Sequence, residues 1–138
     1  MSVTLNPYIN FNGDARAAME FYRSVFGGEL NVMAFSDLPE MPTDPEEKDK
    51  VMHAMLTGDN GIVLMGADTP NGQPYEAFNG SISLSGDDEA VLTGYFDKLS
   101  AGGEVGEPLT KAPWGDTFGM CTDRFGVRWL VNIAGQPG

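Results

Sequence analysis

Apolar and polar residues alternate from Val3 to Phe11, with apolar side chains at positions 3, 5, 7, 9 and 11, which predicts a strand. Pro7 has no N–H to donate, so this strand belongs at a sheet edge or carries an irregularity there. The period then changes. Ala18, Phe21, Tyr22, Val25 and Phe26 form an i, i+3, i+4, i+7 stripe, predicting an amphipathic helix from Ala15 to Phe26 with Asp14 at its N-cap. Gly27-Gly28 stops the helix through a left-handed C-cap. Glu29 to Phe35 reads as a strand, and Ser36 to Lys50, with three prolines and a run of acids, as a loop. Val51 to Thr57 and Ile62 to Ala67 then form a hairpin around Gly58-Asp59-Asn60-Gly61, completing a βαβββ order.

The order repeats. Ser81 to Ser85 alternates small polar and apolar residues as a strand, Gly86-Asp87-Asp88 opens a helix, and Val91, Leu92, Tyr95, Phe96 and Leu99 are its buried stripe. After Gly102-Gly103 come a strand from Glu104 to Lys111, a Pro113-Trp114-Gly115 turn, and a hairpin of Thr117–Thr122 and Val127–Ile133. Two echoes support a duplication. At an offset of 75, Phe21, Gly27-Gly28 and Glu29 recur as Phe96, Gly102-Gly103 and Glu104; at an offset of 65, Thr57 and Gly61 recur as Thr122 and Gly126. The expected organisation is one domain of two modules, 1–68 and 80–138, joined by a linker over 69–79. Neither half alone buries enough surface to fold comfortably.

Composition narrows the function classes. Eight Lys and Arg against twenty Asp and Glu give a net charge of −12, which argues against nucleic acid and anionic lipid as partners. Asp44, Glu46, Glu47 and Asp49 place part of that charge in the 36–50 loop, which reads as weakly attached, rapidly exchanging, and a lid over a cavity. The lone Cys121 excludes an internal disulfide and fits a reducing cytoplasm. No apolar run is long enough for a membrane span and no secretory signal is visible, so a cytoplasmic protein is expected.

Several stretches together resemble a known family. Asn10-Phe11-Asn12-Gly13, Phe21-Tyr22, Val25-Phe26-Gly27-Gly28, Val51-Met52-His53-Ala54 and Leu64-Met65-Gly66-Ala67-Asp68 are similar to the PhnB-like branch of the vicinal oxygen chelate superfamily. So are Trp114-Gly115, Phe118-Gly119 and Asp123-Arg124-Phe125-Gly126-Val127-Arg128-Trp129. The superfamily contains glyoxalase I, bleomycin-resistance proteins and extradiol dioxygenases. The resemblance implies an α+β fold of two paired βαβββ modules, a homodimer, and a small-molecule groove formed by the paired modules. It does not imply one reaction: members of this branch are labelled demethylubiquinone methyltransferase-like or glyoxalase-like.

Metal-using members place His, Glu or Gln early in the first strand of each module and four residues after the hairpin glycine before each last strand. Counting fourteen residues back from Phe21 and Phe96 gives Pro7 and Ile82, and four forward from Gly61 and Gly126 gives Met65 and Leu130. A one-residue slip offers Asn6, Tyr8, Ser81, Ser83 or Val131. None is a histidine or carboxylate, so no metal site and no cofactor are expected.

His53 is the only histidine. Strict alternation puts it on one face with Val51, Met55 and Thr57, where it reads as a general base, a ligand hydrogen-bonder, or a half-buried strand histidine with a satisfied ring. Trp114 and Asp116 sit in a glycine-containing turn suited to an aromatic grip and a polar anchor, or the tryptophan packs over its hairpin. Tyr8, Asn10 and Met33 complete the candidate ligand-binding set, while Met52, Met55, Met65 and Met120 serve as core filler or as lining for an adaptable cavity. Trp129 reads as core, Arg128 as surface or an anion fork, and Cys121 as unreactive. Two functions follow. One is a metal-independent protein that binds an apolar or aromatic small molecule; the other is an enzyme on a small organic molecule, lyase, isomerase or dioxygenase-like, with His53 as acid/base.

Overall fold

The structure, a computed structural model, describes residues 3, 5–37, 50–70 and 73–135. The chain forms two compact units, Met1–Phe78 and Asn79–Gly138. The first holds β1 (Tyr8–Phe11), α1 (Ala15–Phe26), β2 (Glu29–Ala34), β3 (Val51–Thr57) and β4 (Val63–Asp68). The second holds β5 (Ser81–Gly86), α2 (Glu89–Ser100), β6 (Glu104–Lys111), β7 (Thr117–Thr122) and β8 (Arg128–Ile133). Each unit is a βαβββ module with one helix packed on a four-stranded mixed sheet. The strand orders are β1-β4-β3-β2 and β5-β8-β7-β6, with the outer β1·β4 and β5·β8 pairs parallel and the rest antiparallel. This is the α+β fold of two βαβββ modules expected from the sequence.

The doubled echo has a steric cause. A Cβ at Gly28 would run into the carbonyl oxygen of Thr57, and one at Gly103 into that of Thr122. The chain leaving each helix must press against the end of the module's third strand, and glycine alone allows that approach. The two echoes are therefore the two sides of one repeated contact.

Each helix buries one stripe: Ala15, Ala18, Met19, Tyr22, Val25 and Phe26 on α1, and Leu92, Tyr95, Phe96 and Leu99 on α2. Met19 belongs to the first stripe, while Phe21 and Val91 are only half-buried. The strand expected from Val3 is shorter, because pairing with β4 begins at Tyr8. Pro7 lies just outside, accepting the Met65 N–H through its carbonyl at 3.0 Å, and Val3 and Leu5 are exposed and not part of an apolar face. β2 ends at Ala34, whose N–H donates to Asp37 Oδ2 at 2.8 Å as the chain enters a short 3₁₀ turn at Phe35–Asp37. Most of the expected 36–50 lid, with Asp44, Glu46, Glu47 and Asp49, lies outside the described residues.

Asp14 occupies the N-cap position of α1, but its side chain accepts no capping bond. Asp68 supplies the carboxylate instead. Its Oδ1 accepts from the N–H groups of Gly13 (2.9 Å) and Ala15 (3.0 Å), and its Oδ2 from Val51 (2.9 Å). One buried side chain thus ties the end of β4 to the start of both α1 and β3. In the second module Asp88 caps α2 itself, accepting from the Val91 N–H at 3.2 Å.

Candidate functional site

Each sheet has a face turned to its helix and a face turned away. In the first module Ile9, Phe11, Ala54, Leu56, Leu64 and Gly66 are buried on the helix side, where a Cβ at Gly66 would meet the Met19 sulfur. Period two sends their neighbours to the opposite face. The register aligns them: Tyr8 opposite Met65, Met65 opposite Met55, Asn10 opposite Ala67, and Met33 opposite His53. Four of the expected ligand-binding residues, Tyr8, Asn10, Met33 and His53, therefore share the helix-distal face of one sheet. Tyr8 and Met33 are 44% and 41% exposed, and His53 is half-buried.

The rings of Tyr8 and His53 approach with centroids 5.8 Å apart and planes tilted by 30°. Burial raises the Tyr8 phenol above its ordinary range, so near neutral pH it remains protonated and able to donate. Met55 and Met65 add polarizable thioethers beside this pair. Val51, grouped with His53 by strict alternation, is fully buried and paired with Ala34. A register shift between Met33 and Ala34 breaks the alternation at that point.

Trp114 and Asp116 lie together in the second module, in the turn between β6 and β7. Trp114 is 76% exposed and does not pack over its hairpin. Asp116 has structural partners: Oδ1 accepts from the Gly135 N–H at 2.8 Å and Oδ2 from Asn132 Nδ2 at 3.3 Å, fastening the turn to the chain leaving β8. The helix-distal face of this sheet carries Phe118, Met120, Leu130 and Asn132 with Ser83 and Ser85 from β5. At the 65-residue offset, Phe118 takes the place of His53.

The remaining expectations resolve individually. Trp129 is buried and Arg128 is exposed. Cys121 is fully buried, and burial followed by the nearby Asp123 charge pushes its thiol up to about 11, so it is no thiolate nucleophile. Two buried carboxylates, Asp68 and Asp123, escaped the sequence reading as structural centres. So did a cavity of about 320 Å³ beside Asn10, lined by residues of the expected linker.

The four counted positions do not share the helix-distal faces. Ile82 pairs with buried Trp129 on the helix side, and Pro7 precedes β1, so the counted register is out of phase in the first strand of each module. Tyr8 and Ser83 are the residues on the helix-distal faces, opposite Met65 and Leu130. Neither a phenol with a thioether on the first face nor a hydroxyl with an alkyl chain on the second is a donor set that fits a divalent cation. Among the described residues no three His, Cys, Asp or Glu side chains converge.

The profile of the Glyoxalase/Bleomycin resistance protein/Dioxygenase superfamily matches residues 4–131. The chain belongs to this superfamily. A crystal structure of protein PA1353 from Pseudomonas aeruginosa is similar at 43% identity and a TM-score of 0.84, covering 98% of this chain and 100% of that one. The PhnB protein from Bacillus cereus is similar at 25% identity and a TM-score of 0.70, covering 96% and 100%. Protein YjdN of Escherichia coli (strain K12) is 28% identical over 145 residues, 96% of each chain. The PhnB-like motifs and the repeated βαβββ order thus belong to one superfamily pattern. Among the described residues no helix is long and apolar enough to cross a membrane.

Proposed function

We propose that this glyoxalase/bleomycin-resistance superfamily member is a metal-independent binding protein for an apolar or aromatic small molecule, held on the helix-distal face of the first sheet. The observation that carries this reading is the convergence of Tyr8, Asn10, Met33 and His53 on that face. The Tyr8–His53 pair offers a stacking surface for a planar group, the methionines adapt to its outline, and Asn10 supplies donors and an acceptor at one end.

The test is a thermal-shift screen of planar aromatic and aliphatic compounds, followed by spectra of protein carrying ¹³C-methyl methionine. Binding should move the methyl signals of Met33, Met55 and Met65 and the ring signals of His53. Ligands that bind tightly yet leave all four unmoved would overturn the reading.

The contact between Tyr8 and half-buried His53 also supports a second reading, in which His53 moves a proton on a bound substrate and Tyr8 donates a hydrogen bond. His53→Ala would then abolish turnover while ligand affinity stays within a few fold; equal loss of both points to binding alone. We also infer a homodimer, because the edge strands of each sheet favour pairing or covering. Light scattering at micromolar concentration should give twice the chain mass, and the monomer mass alone would exclude it.

A further inference from the structure

Asn10 belongs to two environments. It stands two residues from Tyr8 on the face described above, and it lines the cavity of about 320 Å³ where β1 and β4 end. Beyond Asn10 the wall of that cavity is built by the chain leaving β4. Buried Asp68 and half-buried Thr69 line it together with the exposed Gln73 and Glu76. Pro70 and Pro74 each have φ fixed by their rings, and the Gln73 N–H donates to the Pro70 carbonyl at 3.3 Å.

The chemistry of this lining is one-sided. Among the described lining residues it carries two carboxylates, Asp68 and Glu76, and no Lys, Arg or His. Thr69 donates its hydroxyl proton to the Phe11 carbonyl at 3.0 Å, so only its oxygen is left to face a ligand. Asp68 already accepts three backbone N–H groups and contributes charge more than a fresh hydrogen bond. Glu76, exposed at the rim, is the carboxylate open to a new partner. Oxygen acceptors outnumber donors, and the net charge of −12 adds attraction for cations at longer range.

We propose that this cavity is a head-group subsite that takes a primary ammonium or amidinium group, borne by a ligand whose apolar or aromatic body lies against Tyr8 and His53. This rests on the ligand-face reading and narrows its ligand class to cationic amphiphiles of arylalkylamine type. Glu76 pairs with the charge, and the Asn10 and Gln73 amide oxygens accept from its N–H groups.

The probes are phenethylamine, its neutral analogue 2-phenylethanol and the anionic 3-phenylpropionate, titrated by calorimetry into the wild type and Glu76→Gln, with methionine-methyl spectra in parallel. At low salt the amine should bind about fivefold tighter than the alcohol, the upper range for a partly exposed ion pair, with the carboxylate weakest. Glu76→Gln and high salt should each erase the preference. If amine and alcohol bind equally while both move the Met33 and Met55 methyls, the subsite is wrong and the ligand face stands. An amine preference that survives Glu76→Gln overturns the subsite too, since overall charge then explains it. Probes that leave the methyls unmoved overturn the ligand face and this proposal together.

Discussion

The indole N–H of Trp129 donates to Asp123 Oδ2 at 2.9 Å, with both residues buried. The other carboxylate oxygen accepts from the N–H groups of Phe125 (2.8 Å) and Val127 (3.1 Å). One side chain therefore closes the β7–β8 turn and anchors the largest fully buried residue among those described. Asp123→Ala leaves three donors without their acceptor and should cost about 3 kcal/mol. Asp123→Asn turns one acceptor into a donor and should cost nearly as much. Urea unfolding followed by tryptophan fluorescence measures both, and a loss below about 0.5 kcal/mol for the alanine variant would contradict the assignment.

The first module offers a sharper contrast. Asp14 and Asp88 occupy equivalent N-cap positions, yet only the Asp88 side chain makes the capping bond. Asp88→Ala should cost about 1 kcal/mol and Asp14→Ala only a few tenths. Asp68→Ala should exceed both, at about 3 kcal/mol, because α1 and β3 lose their shared acceptor. Hydrogen exchange provides a local check. The Gly13, Ala15 and Val51 amides should exchange faster in Asp68→Ala, while the equivalent region of α2 is unchanged.

These aspartates also mark where the sequence stopped being readable. The first helix was legible to the residue because periodicity and glycine stops are local signals, the second begins at Glu89 just after the expected Gly86-Asp87-Asp88 opening, and the repeated Gly pairs were visible before their collision with Thr57 and Thr122 explained them. Asp68 caps a helix whose first residue, Ala15, lies 53 positions earlier, so no local pattern identifies it. The shift between Met33 and Ala34 exists only in the pairing of two strands, which is why Val51 was grouped with His53. Pro7 and Ile82 failed for a related reason: a count along the chain is one residue from the opposite face of a strand. Tyr8, Asn10, Met33 and His53 were each nameable, but their shared face follows from the register.

Cys121 gives a prediction in pH. Its thiol rises from an ordinary 9.0 to about 11 in the folded state, first from burial and second from Asp123. Between those values the unfolded chain has released a proton that the folded chain keeps, so the folded state binds more protons and stability falls as pH rises. The contribution is complete below pH 9 and lost progressively toward pH 11, on the order of 2 kcal/mol in all. Cys121→Val should flatten this part of the stability profile, whatever its own effect at pH 7. At pH 8 a thiol reagent should react with native protein at least about a hundredfold more slowly than with unfolded chain, since thiolate and access are both lacking. Rapid native labelling would mean the site opens readily.

The last prediction concerns cations. A divalent ion exchanging its hydration shell for protein ligands needs several strong donors at once, usually imidazole, carboxylate or thiolate. The helix-distal faces present Tyr8 with Met65 in one module and Ser83 with Leu130 in the other. Burial raises the Tyr8 phenol, which disfavours the phenolate that a cation on the first face would need. His53 is a single imidazole, and its nearest ring partner is that same protonated phenol. Titrating Zn, Ni, Mn or Fe(II) into metal-free protein should therefore give no stoichiometric heat and no rise in Tm, and a chelator should leave ligand binding at the Tyr8–His53 face unchanged. A one-to-one site of micromolar affinity, abolished by Tyr8→Phe or His53→Ala, would show that the two rings act as ligands and would return this chain to the metal-using members of its superfamily.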